Sequence, residues 1–217
     1  ATALRQPLQG LSTTGFRLVH GENDGLPGLV IDRYGNNYVL KLYTTAWIVH
    51  LQSFLAALIS EAGGERVILR LSRHAQAEVD ALYGLDDGTI LTGSPLDGPL
   101  AFCENGLNFE ADPVHGQKTG FFLDQRENRE RVEKLARGKS VLNVFAYTGG
   151  FSLYAARGGS SEVVSLDISR PALAAAKRHF ELNQEIPTVA ATCHKTMQGD
   201  AFMLLQQMAR QNSTFDM

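Results

Sequence analysis

The sequence predicts an α/β protein in which a small α/β unit precedes a doubly wound parallel sheet. Three observations carry this. From Lys139 onward, apolar strand-like runs alternate with helix-periodic segments, the pattern of parallel strands joined by crossovers. Before it, short alternating strands are bounded by clusters of Gly, Asn, Asp and Pro. A Gly/Pro-rich stretch, TGSPLDGP at 92–99, closes the first region.

Taken in order, FRLVHGENDGLPGLVIDRYG (16–35) reads as a hairpin and YVLKLY (38–43) as a further strand. Ile48, Leu51, Leu55, Leu58 and Ile59 recur at helical steps between Ala46 and Ala62, and Gly63-Gly64 stops that helix. RVILRLS (66–72) is again a strand. LAFCENGLNFEAD (100–112) has two alternating arms about Asn105-Gly106, a strong short hairpin signal. GQKTGFFLDQRENR (116–129) then runs from a turn into a charged amphipathic helix that ends near Gly138. In the last region SVLNVFAY (140–147) is a buried strand, FSLYAARG (151–158) a short helix and EVVSLDIS (162–169) a second strand. PALAAAKRHFELNQ (171–184) is a helix with Pro171 in its first turn, where proline fits. A weaker strand around Thr188 to Cys193 precedes the helix DAFMLLQQMARQ (200–211). The expected layout is a linker remnant at 1–14, a central α/β domain at 15–99, a hairpin and loop-helix at 100–138, and the doubly wound region at 139–217.

A hydrophobic content of 44%, a charged content of 20% and a net charge of −3 describe an ordinary globular chain. They exclude wholesale disorder and a global electrostatic commitment to nucleic acid, so any surface for a polyanion is local. No apolar run approaches the roughly 20 residues a membrane helix needs. The N-terminus lacks a signal-peptide pattern, so a cytoplasmic location is expected. Cys103 and Cys193 stand far apart, outside any C-x-x-C or Cys/His cluster, and read as reduced thiols; no metal site is expected.

Chemistry points to the carboxyl ends of the doubly wound strands, where such sheets bind ligands. NVFAYTGGFS (143–152) places Gly149 and Gly150 at a strand-to-helix turn. They permit close backbone approach to a ligand, or serve only the backbone angles of a tight turn. The dinucleotide fingerprint G-x-G-x-x-G is absent, which disfavours a nicotinamide oxidoreductase. Asp167, ending the second strand, suits both ribose hydroxyls of a nucleoside, and Ser169 is the better cap for the helix after it. Asp200 suits an adenine amino group with Ala201 and Phe202 along the ring, or else caps the next helix.

Residues 116–217 resemble the class I S-adenosylmethionine-dependent methyltransferases with a Rossmann-like sheet. More closely, GQKTGFFLDQRENR, NVFAYTGGFSLYAARGG and VVSLDIS are similar to the ribosomal RNA large-subunit (23S) methyltransferases that make 5-methylcytosine. FRLVHGENDGLPGLVIDRYG resembles the central domain that precedes catalysis in that family. The resemblance implies S-adenosyl-L-methionine as cofactor, ribosomal RNA as partner, no membrane association, and an oligomeric state that is open, a homodimer included. It implies that Gln117–Arg126 walls the cofactor pocket, with Phe121, Phe122 and Asp124 nearest. The turn from Asn143 through Tyr147, Thr148, Gly149 and Gly150 would hold the methionine part. Asp167 would bind ribose, with Ile168 against adenine and Asp200 with Ala201 at the adenine amino group. Phe121 and Phe122 could equally be plain core packing.

Lys118 to Lys139 carries a net charge of +3. Its interleaved signs favour intrahelical ion pairs, while Lys118, Arg126 and Arg129 are the candidate phosphate contacts. Family members that act at cytosine C5 continue into Asp-Pro-Pro and a later cysteine, whose thiolate adds to C6 and makes C5 nucleophilic. This chain reaches Met217 where that continuation begins, and neither cysteine has the expected context, so no catalytic residue is assigned within it. The expectation is an internal segment of a longer enzyme, without a PUA-type domain before it or the catalytic half after it, and itself inactive. The alternatives are a class I methyltransferase acting on another base such as guanine, or a non-catalytic RNA-binding segment.

Overall fold

The computed structural model describes Arg5 and residues 12–217, so most of the expected linker at 1–14 lies outside the described residues. The chain divides into two compact units, residues 1–124 and 125–217. The segment expected as one piece at 100–138 is therefore shared: its hairpin belongs to the first unit and its helix to the second.

The first unit is built on a mixed sheet of β1 (Gly15–His20), β2 (Leu29–Tyr34), β3 (Asn37–Leu42), β4 (Arg66–Leu71) and β5 (Ile90–Thr92), in that spatial order. β3 and β4 are parallel and their neighbours antiparallel. The crossover between β3 and β4 is α1 (Leu51–Ala62), whose Leu51, Leu55 and Leu58 bury against Leu40, Val67 and Leu69. The helix expected over Ala46–Ala62 starts as a 3-10 turn over Thr45–His50, where the Thr44 hydroxyl accepts the Ala46 N–H. Ile59, placed on the buried face by its spacing, is exposed. Sequence patterning did not assign α2 (Arg73–Tyr83) or β5, a helix too polar and a strand too short for a clear periodic signal.

A hairpin of β6 (Leu100–Glu104) and β7 (Leu107–Ala111) follows. Its turn residues Asn105 and Gly106 have φ of 50° and 80°, the double left-handed geometry that Asn-Gly favours.

The second unit opens with α3 (Arg126–Leu135) and forms a parallel sheet from β8 (Ser140–Val144), β9 (Glu162–Asp167) and β10 (Cys193–Gln198), in the order β10-β9-β8. α4 (Gly150–Arg157) and α5 (Arg170–Glu181) are the crossovers. The strand expected near Thr188–Cys193 is instead the short helix α6 (Pro187–Ala191) followed by β10. Pro187 opens that helix, and the Thr192 hydroxyl closes it on the Thr188 carbonyl at 2.9 Å. One face of the sheet packs Val141 and Val163 against Ala136 and Ala155; the other packs Leu166 against Ala201 and Met208 of α7 (Ala201–Arg210). Beyond β8, Met217 donates its N–H to the Ser140 carbonyl at 3.2 Å and accepts the Leu142 N–H at 2.8 Å, the pattern of a parallel ladder.

Candidate functional site

The carboxyl ends of β8, β9 and β10 meet at one edge of the second unit. β8 stops at Val144 because the chain turns at once into left-handed backbone. Phe145 has φ of 58° and Tyr147 of 49°, conformations that non-glycine residues rarely adopt and that cluster at functional loops. Gly149 follows at 73°, and a Cβ there would stand 2.7 Å from Ala176 Cβ of α5, so both the angle and the packing require glycine. Gly149 is the N-cap of α4, so among the described residues that helix starts without a side-chain cap.

Asp167 fastens this turn. Its Oδ2 accepts the Tyr147 N–H at 2.7 Å and its Oδ1 the Ser169 N–H at 2.9 Å. Each oxygen keeps a further acceptor position, so the carboxylate can still receive ligand hydroxyls. Ser169 caps α5 by accepting the Ala172 N–H, as its sequence position suggests. The Thr148 carbonyl accepts a hydrogen bond from Nδ1 of fully buried His179 at 2.8 Å. Thr148 Oγ1 itself, in a residue only 8% exposed, has no hydrogen-bond partner among the described residues. A buried hydroxyl in that state is one a ligand can satisfy.

Around this turn the surface is apolar where water would be expected. Phe145 and Phe202 are 67% and 70% exposed, and their rings meet edge to face at 6.3 Å across the sheet end. Ile168, beside Asp167, is 70% exposed. Asp200 caps α7, its Oδ1 accepting the Met203 N–H at 3.0 Å. Ala201 points into the core with Leu166 and Met208 instead of lining the edge, and Phe202 takes the exposed position.

Asn143, Tyr147, Thr148, Gly149, Gly150, Asp167, Ile168 and Asp200 thus come together at one edge. Phe121, Phe122 and Asp124 belong to the first unit. Phe121 is buried there between Phe102 and Phe109, at ring distances of 5.1 and 5.0 Å, which is the core-packing alternative. Lys118 lies 4.3 Å over the Phe122 ring and donates to Asp124 Oδ1 at 2.9 Å. It is therefore engaged locally. Arg129, a candidate phosphate contact, is 2% exposed and lies over the rings of Phe151 and Tyr154, so it is a core residue of the second unit. Arg126 opens α3 and is half-buried.

Sequence patterning missed Phe145, Ser152, Ser165, His179 and His194. A signal existed for two of them. Ser165 interrupts an otherwise apolar strand and Ser152 the apolar start of a helix, and a buried hydroxyl implies a partner.

Over residues 17–204 the chain matches the family of S-adenosylmethionine-dependent methyltransferases, and it belongs to that family. It is 50% identical over 216 residues to a protein of Deinococcus radiodurans named ribosomal RNA large subunit methyltransferase, a match covering 99% of this chain and 52% of that protein. Among solved structures, it superposes with a TM-score of 0.83 at 26% identity on a chain from Streptococcus mutans described as a SAM-dependent methyltransferase, over 99% of this chain and 54% of that one. Another similar methyltransferase chain was solved in complex with S-adenosylhomocysteine (SAH), with a TM-score of 0.83, 26% identity, and 99% and 53% covered. The chain spans about half the length of the relatives it matches.

Proposed function

We propose that this chain holds S-adenosylmethionine across the carboxyl ends of β8, β9 and β10, as part of an enzyme that methylates large-subunit ribosomal RNA in the cytoplasm. The observation that carries the binding site is the exposed apolar edge of Phe145, Ile168 and Phe202 set beside two strand-end carboxylates, Asp167 and Asp200. Exposed rings next to acceptors suit a nucleoside, which offers an apolar face and a rim of hydroxyl and amino donors. Asp167 accepts from the ribose hydroxyls and Asp200 from the adenine amino group, with Ile168 against the base. The turn from Asn143 to Gly150 takes the methionine part: the orphan hydroxyl of Thr148 gains a partner, and the uncapped start of α4 faces a carboxylate favourably. The cofactor supplies an electrophilic sulfonium methyl group when bound. The residues present supply orientation, which is how such a site accelerates transfer.

Calorimetry on the chain tests the site. SAH binding, with no binding of NAD, is the expected result; absence of SAH binding would refute it.

The RNA substrate rests on the name carried by the Deinococcus radiodurans relative, and cytosine C5 on the resemblance of GQKTGFFLDQRENR, NVFAYTGGFSLYAARGG and VVSLDIS. Deleting the gene and mapping methylated bases of 23S ribosomal RNA by mass spectrometry tests both. Loss of one 5-methylcytosine is expected. Loss of a different methylated base assigns another acceptor, and an unchanged map rejects the substrate.

A further inference from the structure

A line of hydrogen bonds runs beneath the turn through the second unit. Asn143 Nδ2 lies 2.9 Å from Ser152 Oγ, Ser152 Oγ 2.6 Å from Ser165 Oγ, and Ser165 Oγ 2.9 Å from His194 Nε2. The four residues come from β8, α4, β9 and β10. Asn143 and Ser165 are direct cross-strand partners, so their side chains share the sheet face that α4 covers. Ser152 and Ser165 are wholly buried, and the His194 ring stacks on Phe180 at 3.7 Å with the planes 6° apart.

Each hydroxyl in such a line has one proton to donate and two positions to accept, so the Ser152–Ser165 bond can run in either direction. In one, the Asn143 NH2 donates to Ser152, Ser152 to Ser165, and Ser165 to an unprotonated His194 Nε2. The Asn143 oxygen is then left free for the turn. In the other, a protonated Nε2 donates to Ser165 and Ser165 to Ser152, whose own proton is then free for Asn143, which favours the amide turned with its oxygen inward and its NH2 outward. The far end of the line therefore biases whether Asn143 offers an acceptor or a donor.

We propose that Ser152, Ser165 and His194 are positioning residues that hold the Asn143 amide with its oxygen outward, as the acceptor for the cationic amino group of the ligand's methionine part. This rests on the cofactor reading above. Burial first, and the Lys177 ammonium second, hold the His194 ring down to about 4, so it is uncharged at neutral pH and can accept. Among the described residues, Asn143 makes only the Ser152 side-chain bond, which leaves its oxygen available. The uncapped start of α4 would favour the ligand's carboxylate, so the two charged groups of one amino acid meet opposite polarities.

Two substitutions separate the relay from mere packing. His194→Phe keeps a ring on Phe180 and removes the acceptor; His194→Gln removes the ring and keeps an acceptor. Binding is read with SAH and with 5′-methylthioadenosine, which has the nucleoside and sulfur but no amino acid. His194→Phe should weaken SAH about tenfold, the scale of one hydrogen bond to a charged group, and leave methylthioadenosine unchanged. His194→Gln should bind SAH as the wild type does. Nitrogen NMR of the ligand-free chain should show the His194 proton on Nδ1. A proton on Nε2 overturns the relay, as does a His194→Phe chain that binds SAH normally or loses both ligands equally. A wild-type chain that binds neither ligand overturns the cofactor reading, and the role of the relay with it.

Discussion

Asp167 and Tyr147 are joined across two strand ends by a 2.7 Å hydrogen bond from the Tyr147 N–H to the Asp167 carboxylate, and this bond holds a residue with φ of 49° in place. Left-handed backbone at a non-glycine residue costs about 1–3 kcal/mol, and persists only where surrounding contacts over-determine it. Here the carboxylate does so from one side, while His179, through the Thr148 carbonyl, does so from the other.

Removing that carboxylate should therefore loosen the turn as well as the ligand. Asp167→Ala deletes two charge-assisted bonds to backbone N–H groups and should lower stability by about 2–4 kcal/mol, with SAH binding lost. Asp167→Asn keeps one acceptor oxygen and should fall between the two. Thermal unfolding and calorimetry on the three chains check this. Undiminished stability in Asp167→Ala would show that the turn is held by other contacts.

Gly149 offers a cleaner separation of strain from packing. Gly138 and Gly149 have nearly the same φ, 72° and 73°, but a Cβ at Gly138 meets nothing within 4 Å, whereas one at Gly149 meets Ala176. Gly138→Ala should cost about 1–2 kcal/mol, the strain alone. Gly149→Ala should cost about 1–3 kcal/mol more from overpacking against α5. Denaturant unfolding of both variants measures the difference, and equal losses would mean that α5 yields without cost.

Arg129 should behave as a core residue. Its guanidinium lies between 5.8 and 5.9 Å from the ring centres of Tyr154 and Phe151. Arg129→Gln should destabilise by about 2–4 kcal/mol, because a buried guanidinium and its contacts with two rings are lost together. It should leave the salt dependence of RNA binding unchanged, since the slope counts phosphate contacts and a buried side chain makes none. A shallower slope in a folded variant would return Arg129 to the RNA surface.

Legibility in the sequence followed physical causes. The second unit was readable because β9 is buried on both faces, β8 is a largely apolar run and α5 carries a regular apolar stripe, so composition and period agree. β10 was misplaced by several residues because, as an edge strand, it mixes Lys195, Thr196 and Gln198 with few apolar residues. The position of Asp167, Ile168 and the Gly149 turn at the strand ends was legible because each follows directly on an apolar run that reads as a strand. Phe121 was not separable from a pocket residue, because an aromatic pair next to a glycine looks the same in either place. Nor could the partners of Ser165 be read, because a serine at position 165 meets a histidine at position 194 only once two strands distant in sequence are in register. Pairing of that kind is written in topology and not in local composition.

The His194 ring gives a pH dependence with a definite sign. Its folded-state value, about 4, lies below the ordinary 6.5, through burial and then the Lys177 ammonium. Between those two values the unfolded chain holds the proton and the folded chain does not. Stability linked to this group is therefore full above about pH 6.5, declines as pH falls towards 4, and changes no further below that, over a range on the order of 3 kcal/mol. Trp47 is the sole tryptophan and sits in the first unit, so its fluorescence would miss the event; amide exchange or NMR of the second unit would see it. The comparison is wild type against His194→Gln from pH 4 to pH 7. The wild type should lose stability relative to the variant as pH drops, because Gln takes up no proton. A constant difference across that range would mean that the imidazole carries no shifted titration. Protonation also puts a hydrogen on Nε2, which must then donate to Ser165, so the stability loss and the reversal of the hydroxyl line beneath Asn143 should occur over the same pH interval.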